Sequence, residues 1–221
     1  MSGPTRRRGP GRPPGSDSAE TRLKILHSAR QVFSSIGFDQ ASLKQIAEDA
    51  GLTRNAIANY YSSKIELYLA ALATVQEVAV ERIVGRASAV QGPAHRRIMA
   101  MVEAATEFGW TDQTFVRFFI TATVDATRHP ELRDNALLPL ETARRFVVDT
   151  LNEARRNGEI DPETDTEAIT QVVVDLLWGL AMDIGFHTDG ERMRRTVRAA
   201  DRLLGAALTP ILTGAPGGET H

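Results

Sequence analysis

Apolar residues recur at helical spacing along almost the whole chain. Leu23, Leu26, Ala29, Phe33 and Ile36 lie three or four apart behind Asp17-Ser18-Ala19-Glu20, which reads as a capping box, and Gly37 follows them. This predicts a first helix ended by Gly37. Ser42-Leu43-Lys44-Gln45 repeats the capping pattern before Ile46, Ala47 and Ala50, and Gly51 stops that run after barely two turns. Thr53 caps a third short helix through Asn59. Ser63-Lys64-Ile65-Glu66 is another capping box, opening a long helix to about residue 90 through Leu67, Ala70, Ala71, Thr74, Val78 and Ile83. Helices as short as the second and third cannot stand alone, so the first three must form one compact unit.

Beyond Gly92-Pro93 the periodicity stays helical. It predicts helices over 93–108 with Gly109 as the stop, and over 115–128 up to His129-Pro130. A further helix over 132–156 carries a kink or break at Pro139 and stops at Asn157-Gly158. Two more run from Asp165 or Thr166 to His187 and over 191–212. No strand pattern of useful length and no repeat interrupts them. The fold class is therefore all-α: an N-terminal three-helix helix-turn-helix domain and a larger helical one. The boundaries are a basic arm over 1–16, the trihelical domain over 17–68, the larger domain over 69–213 and a disordered tail over 214–221.

Composition narrows the chemistry. With 221 residues, 42% apolar and 24% charged, the chain can bury a sizeable core. It has no Cys, which excludes disulfides, thiolate catalysis and Cys-based zinc sites. Five scattered His show no metal-binding spacing, and no nucleophile elbow or phosphate-binding glycine loop is present. No enzyme activity, metal or cofactor is expected. The strongly apolar stretch over 172–186 is short for a bilayer and holds Asp175 and Asp183, so a cytoplasmic protein without membrane contact is expected.

Charge divides the chain. Residues 1–68 carry 10 Lys and Arg against 6 Asp and Glu, while the remainder carries 16 against 22. A basic end before an acidic body is the footprint of phosphate contact, although a solvated surface explains charge alone equally well. The arm contributes Arg6, Arg7, Arg8 and Arg12 among Pro and Gly, and Arg8-Gly9-Pro10-Gly11-Arg12-Pro13 resembles the Gly-Arg-Pro core of AT-hook peptides, which lay Arg in the minor groove. A tail that only aids solubility is the alternative.

The spacing Ala47, Gly51, Ile57 is the most informative in the chain. A helix-turn-helix needs a small residue where its helices cross, Gly in the left-handed turn and a branched apolar residue to lock the second helix. All three are met, and with the basic arm they favour DNA binding over a merely structural helical pair. The stretch from Ser42 to Arg54, with Asn59-Tyr60-Tyr61-Ser62-Ser63-Lys64-Ile65-Glu66-Leu67, resembles the DNA-binding domain of the TetR family of bacterial repressors. The resemblance covers residues 20–68. It implies that the third helix, Arg54 to Asn59, enters the major groove, that Tyr60 and Tyr61 close it, and that Lys64 contacts a phosphate. Asn55 stands where the family often has Gly or Ala, and Ala58 where it often has Tyr, so the operator is not carried over.

Residue chemistry assigns the parts. Ser42 and Thr53 cap helix N-termini and can also reach a phosphate there. Lys44, Tyr60 and Lys64 suit phosphates, which set position without reading sequence. Asn55 and Asn59 share a helical face; Asn can read adenine and Arg54 guanine, with Arg54 and Asn55 favoured over Asn59 for base contact. Tyr61 and Leu67 read as core.

The helix over 169–187 is apolar almost all round, with Gly179 and Gly185 allowing close neighbours, and the last helix carries a stripe of Met193, Val197, Ala200, Leu204, Ala207, Leu208 and Ile211. A symmetric four-helix interface between two copies follows, as the resemblance also implies; intramolecular packing is the alternative. Of 13 aromatic residues, seven (Phe108, Trp110, Phe115, Phe118, Phe119, Trp178 and Phe186) fall in two segments that the resemblance places around an inducer cavity. Met182 and Thr123 join these as candidate lining, and Thr121, Asp125 and Asp183 as polar anchors. The expected protein is a homodimeric repressor that a hydrophobic small molecule releases from a palindromic double-stranded operator. The alternative is a ligand-independent or architectural DNA-binding protein whose larger domain only dimerises.

Overall fold

The computed structural model describes residues 14–186 and 190–208, with side chains from residue 18 onward. Ten α-helices make up the described chain, and it contains no strand. Helices α1 (Pro14–Gln40), α2 (Leu43–Asp49) and α3 (Arg54–Ala58) form the N-terminal unit. Helix α4 (Lys64–Val78) passes through a π-helical stretch, Ala79–Val84, into α5 (Gly85–Ser88). Then come α6 (Ala94–Thr111), α7 (Gln113–Asp125), a 3-10 turn Pro130–Leu132, α8 (Arg133–Arg156), α9 (Thr166–Phe186) and α10 (Gly190–Leu208).

Local chemistry sets the N-terminal unit. Ser42 Oγ accepts the Gln45 N–H at 3.2 Å and Thr53 Oγ1 the Ala56 N–H at 3.1 Å, capping α2 and α3. Gly51 takes φ 61°, and Leu52 N–H bonds the Ala47 carbonyl while Gly51 N–H bonds that of Glu48. That pair of bonds is a Schellman close, and it turns the chain between the two helices. Ile46, Ala47 and Ile57 are buried at the crossing. Ser63 caps α4 through the Glu66 N–H, but the Glu66 carboxylate reaches past Ser63 to the N–H and hydroxyl of Ser62 at 2.7 and 2.6 Å. Those bonds hold its pKa below the usual carboxylate range.

Several boundaries differ from the sequence reading. Helix α1 begins at Pro14 rather than behind Asp17, Pro being suited to a first turn. Leu23 points outward at 67% exposure, off the buried stripe of Ile25, Leu26, Ala29 and Phe33. Gly109 does not stop α6 but lies buried inside it, where an added Cβ would meet Ile184 Cδ1 at 2.8 Å: it is a close-packing site. Helix α8 continues through Pro139. Helix α10 is described only to Leu208; residues 1–13 of the arm and the tail over 214–221 lie outside the described residues, while the arm's last three residues belong to α1.

The core runs through both halves. Phe33 and Phe38 of α1 stack around Tyr68 of α4 and Phe118 of α7, with ring centroids 4.6–6.5 Å apart. Helix α1 packs more extensively on α7 than on its own domain partners. Helices α6 to α10 close a second layer in which α8 lies on α9 and α10 on α6. Helix α9 is long and apolar enough to pass for a membrane span by length and composition, though it packs against α6, α7 and α8.

Candidate functional site

Two regions carry candidate chemistry, at opposite ends of α4. The first is the outer face of α2 and α3. Lys44, Thr53, Arg54, Asn55 and Asn59 are exposed, and Ser42 and Tyr60 half-buried. They form one surface because Ile46 and Ile57 bury the opposite faces of the two helices. Among the described residues Lys44 is engaged only by an exposed pair with Glu48 at 3.7 Å, and Tyr60 Oη lies 3.5 Å from Ser18 Oγ. Tyr61 is buried, its hydroxyl accepting from Arg22 Nε at 3.2 Å, which raises the Arg22 pKa. Leu67 is buried as well, and both belong to the core.

Lys64 has an intramolecular role that its position in the sequence did not reveal. Its ammonium donates to the carbonyls of Phe38 at 2.6 Å and Asp39 at 3.2 Å and lies 4.4 Å from the centre of the Phe38 ring. It thus ties the start of α4 to the chain just past Gly37, where φ 75° and ψ 175° break α1 as the sequence predicts. Arg8 and Arg12 lie outside the described residues.

The second region is a partly open cavity of about 100 Å³ lined by α4, the π-helical stretch, α6, α7, α8 and α9. Phe108, Phe115 and Phe119 line it, as the sequence suggested. The other lining side chains carry no such signal in the sequence: Val75, Ile83 and Val84 on the linking helix, Val116, Leu140 and Leu177, and the small residues Ala79, Ala105, Ala143 and Ala181 with Pro139. Every lining side chain is apolar. The usable signal was the recurrence of alanine on facing helices, which leaves volume where larger residues would interlock.

The remaining candidates lie elsewhere. Phe118 turns away to pack on Phe33 and Tyr68. Trp178 stands behind the wall, edge-on to Phe119 at 5.6 Å, and Met182 is packed against the core without reaching the cavity. Trp110 lines a separate open groove with Glu103, Glu107, Arg194 and Arg198. Phe186 is 70% exposed beside Arg117 and Thr121. The Thr123 hydroxyl is spent on its own helix, donating to the Phe119 carbonyl at 2.9 Å, and the Thr121 hydroxyl donates across to the Ser34 carbonyl of α1 at 3.4 Å. Asp183 pairs with Arg192 of the same chain at 3.3 Å, and Asp125 is buried at the joint between α1, α4 and α7. The corrections share one reason: helical spacing fixes a side chain's face, whereas the cavity occupies a narrow sector among six elements.

The stripe on α10 is also redirected. Met193, Ala200, Leu204 and Leu208 are buried within the chain, where α10 packs on α6. What stays exposed is an apolar groove between α9 and α10, with Val172 at 61% and Leu203 at 72% exposure, flanked by Ile169 and Leu176.

Known proteins share this arrangement. Residues 25–71 match the family described as bacterial regulatory proteins, tetR family, and residues 94–200 match the tetracyclin repressor-like C-terminal domain. The HTH-type transcriptional regulator UidR of Escherichia coli is 26% identical over 171 residues, covering 76% of this chain and 84% of the relative. A putative transcriptional regulator from Saccharomonospora viridis, solved with choline, superposes with a TM-score of 0.73 at 17% identity, over 86% of this chain and 98% of its own. FadR from Bacillus subtilis, solved with stearoyl-CoA, does so with a TM-score of 0.64 at 16% identity, over 84% and 97%. Since one match falls on the helix-turn-helix and the other on the helical body behind it, the chain belongs to the TetR family of bacterial transcriptional regulators.

Proposed function

We propose that this regulator is a homodimeric, cytoplasmic repressor that grips a palindromic operator with α3 and is released when a compact, neutral, apolar molecule enters the cavity. The lining carries the reading. A cavity whose lining side chains are all apolar offers no side-chain partner to a charged or strongly polar group, and burying such a group unpaired costs several kcal/mol. Its volume of about 100 Å³ is comparable with that of cavities that admit benzene or xenon, roughly 150 Å³. The ligands of the two solved neighbours, choline and stearoyl-CoA, each bear charge and suit this cavity poorly.

On the DNA side, Arg54 and Asn55 contact bases, while Ser42, Lys44, Thr53, Tyr60 and Lys64 hold phosphates, helped by Arg8 and Arg12 of the arm. A second copy covers the groove bearing Val172 and Leu203, placing two α3 helices on one face of the duplex.

The test begins with an operator selected by the protein from random duplexes. Toluene, choline and stearoyl-CoA are then titrated against the complex. Toluene alone should release the DNA and change the emission of Trp178, which abuts the cavity wall at Phe119. Release by choline or stearoyl-CoA instead would overturn the ligand class. Insensitivity to all three and to larger neutral hydrocarbons would favour a ligand-independent DNA-binding protein.

A further inference from the structure

Helix α7 supplies one wall of the cavity through Phe115, Val116 and Phe119, and both of its ends are bonded to the N-terminal unit. The two attachments are unequal.

At the C-terminal end, Asp125 is 1% exposed. Its Oδ2 accepts the Phe38 backbone N–H of α1 at 2.8 Å and the Tyr68 hydroxyl of α4 at 3.0 Å, and its Oδ1 accepts from Arg128 at 2.9 Å. The Phe38 N–H can point there because Gly37 takes φ 75°, and a Cβ on Gly37 would lie 3.3 Å from Asp125 Oδ1. Burial, followed by the Asp125 charge, pushes the Tyr68 phenol pKa up, so Tyr68 stays a neutral donor. Charge-assisted bonds from two buried donors to one carboxylate are short and directional, and breaking any of them strands a buried group. This attachment is stiff.

The N-terminal end is held loosely. Arg30 of α1 reaches the Asp112 carboxylate at 3.9 Å, while Asp112 Oδ1 caps α7 by accepting the Phe115 N–H at 3.0 Å. Arg30 also donates to Thr74 Oγ1 at 3.1 Å, next to the cavity-lining Val75, and its buried Nε has no partner among the described residues. Of the cavity-lining residues of α7, Phe115 and Val116 lie in its first turn, next to this loose end, and Phe119 at its midpoint.

We propose that Asp125 is a positioning residue: it is the fixed pivot between α7 and the DNA-reading helices, Arg30 is the yielding end, and together they set the angle at which α1 carries α2 and α3. Displacement of the first turns of α7 moves Arg30 and tilts α1 about the Phe38–Asp125 contact. Because α3 rides at the far end of that unit, a small tilt becomes a change in the separation of the two reading helices of a dimer. The inference rests on the symmetric dimer proposed above but needs no identified ligand.

The test compares the full-length wild type with Asp125→Ala, Asp125→Asn and Tyr68→Phe on the selected operator, on operators with one base pair added or removed between half-sites, and on a duplex with one half-site. Wild type should lose about tenfold in affinity on the altered spacings, and Asp125→Ala only about threefold or less, a coupling difference within the usual range. Half-site affinity should stay the same. Asp125→Asn, which keeps an acceptor oxygen for Phe38 and Tyr68, should restore most of the spacing discrimination. Exchange of the Phe38 amide should rise about tenfold in Asp125→Ala while α9 amides keep their protection.

Wild-type spacing discrimination in Asp125→Ala would overturn the proposal. So would loss of half-site affinity with loss of protection throughout α1 to α3, which marks a merely structural residue. Should Asp125→Ala fail to fold, Tyr68→Phe carries the test: it removes one donor, and intermediate discrimination supports the pivot whereas wild-type discrimination overturns it. Sedimentation as a monomer would sink the dimer reading instead, and the contrast in Phe38 exchange between Asp125→Ala and Asp125→Asn would then decide the role of Asp125 alone.

Discussion

The Lys64 ammonium donates to the Phe38 carbonyl at 2.6 Å, so the first residue of α4 holds the chain just past the break in α1 at Gly37. A side chain that reads as a phosphate ligand in the sequence is thereby also a clamp within the domain. Lys64→Met should destabilise the protein by about 1–2 kcal/mol, from two lost hydrogen bonds and one cation–ring contact. Urea unfolding measures this. An unchanged midpoint would show that the clamp contributes nothing.

Gly37→Ala should be costly as well. The residue sits at φ 75°, and its new Cβ would crowd the Asp125 carboxylate at 3.3 Å. A loss of about 1–2 kcal/mol is expected from the left-handed backbone alone. Wild-type stability in a thermal melt would contradict the strain.

On DNA, Asn55→Ala should weaken the specific complex by roughly 1–3 kcal/mol and leave binding to random duplex nearly intact. Lys44→Ala should weaken both and lower the slope of log affinity against log salt by about 1. Equal effects of the two substitutions on the two DNAs would remove the distinction between reading and positioning.

Filling the cavity should separate ligand response from DNA binding. Ala181→Leu places three extra carbons into the space between α7 and α9, and overpacking of about 1 kcal/mol is the expected cost. Toluene should then no longer shift the melting temperature, whereas it should raise that of the wild type. Retained toluene binding in the variant would place the ligand elsewhere.

Acid should weaken the start of α4. Glu66 is held below its ordinary pKa by the Ser62 hydroxyl and amide, so its contribution is present above the unfolded value and is lost as pH falls through the folded one. Ser62→Ala should move the Glu66 titration upward, toward the ordinary value, with carboxyl NMR shifts as the readout.

The helix-turn-helix was legible in the sequence because it is local. Ser42, Gly51 and Thr53 act on backbone groups within five residues, and Ala47 and Ile57 meet across a turn whose geometry Gly51 alone sets. The all-helical class and most boundaries followed from periodicity in the same way. Gly109 was misread because a buried glycine that admits a neighbouring helix looks identical in sequence to one that ends its own.

Only the tertiary structure decided what joins the halves and what surrounds the empty space. Asp125 meets Phe38 across 87 residues of chain, and Arg30 meets Thr74 across 44. No pattern in the sequence states that α1 lies along α7. Aromatic residues marked the cavity only in part, because Phe115 and Phe119 face it while Phe118, in the same helix, faces the core. A cavity is a difference between the volume that packed helices enclose and the volume their side chains fill, so its position depends on how six elements meet rather than on any one of them.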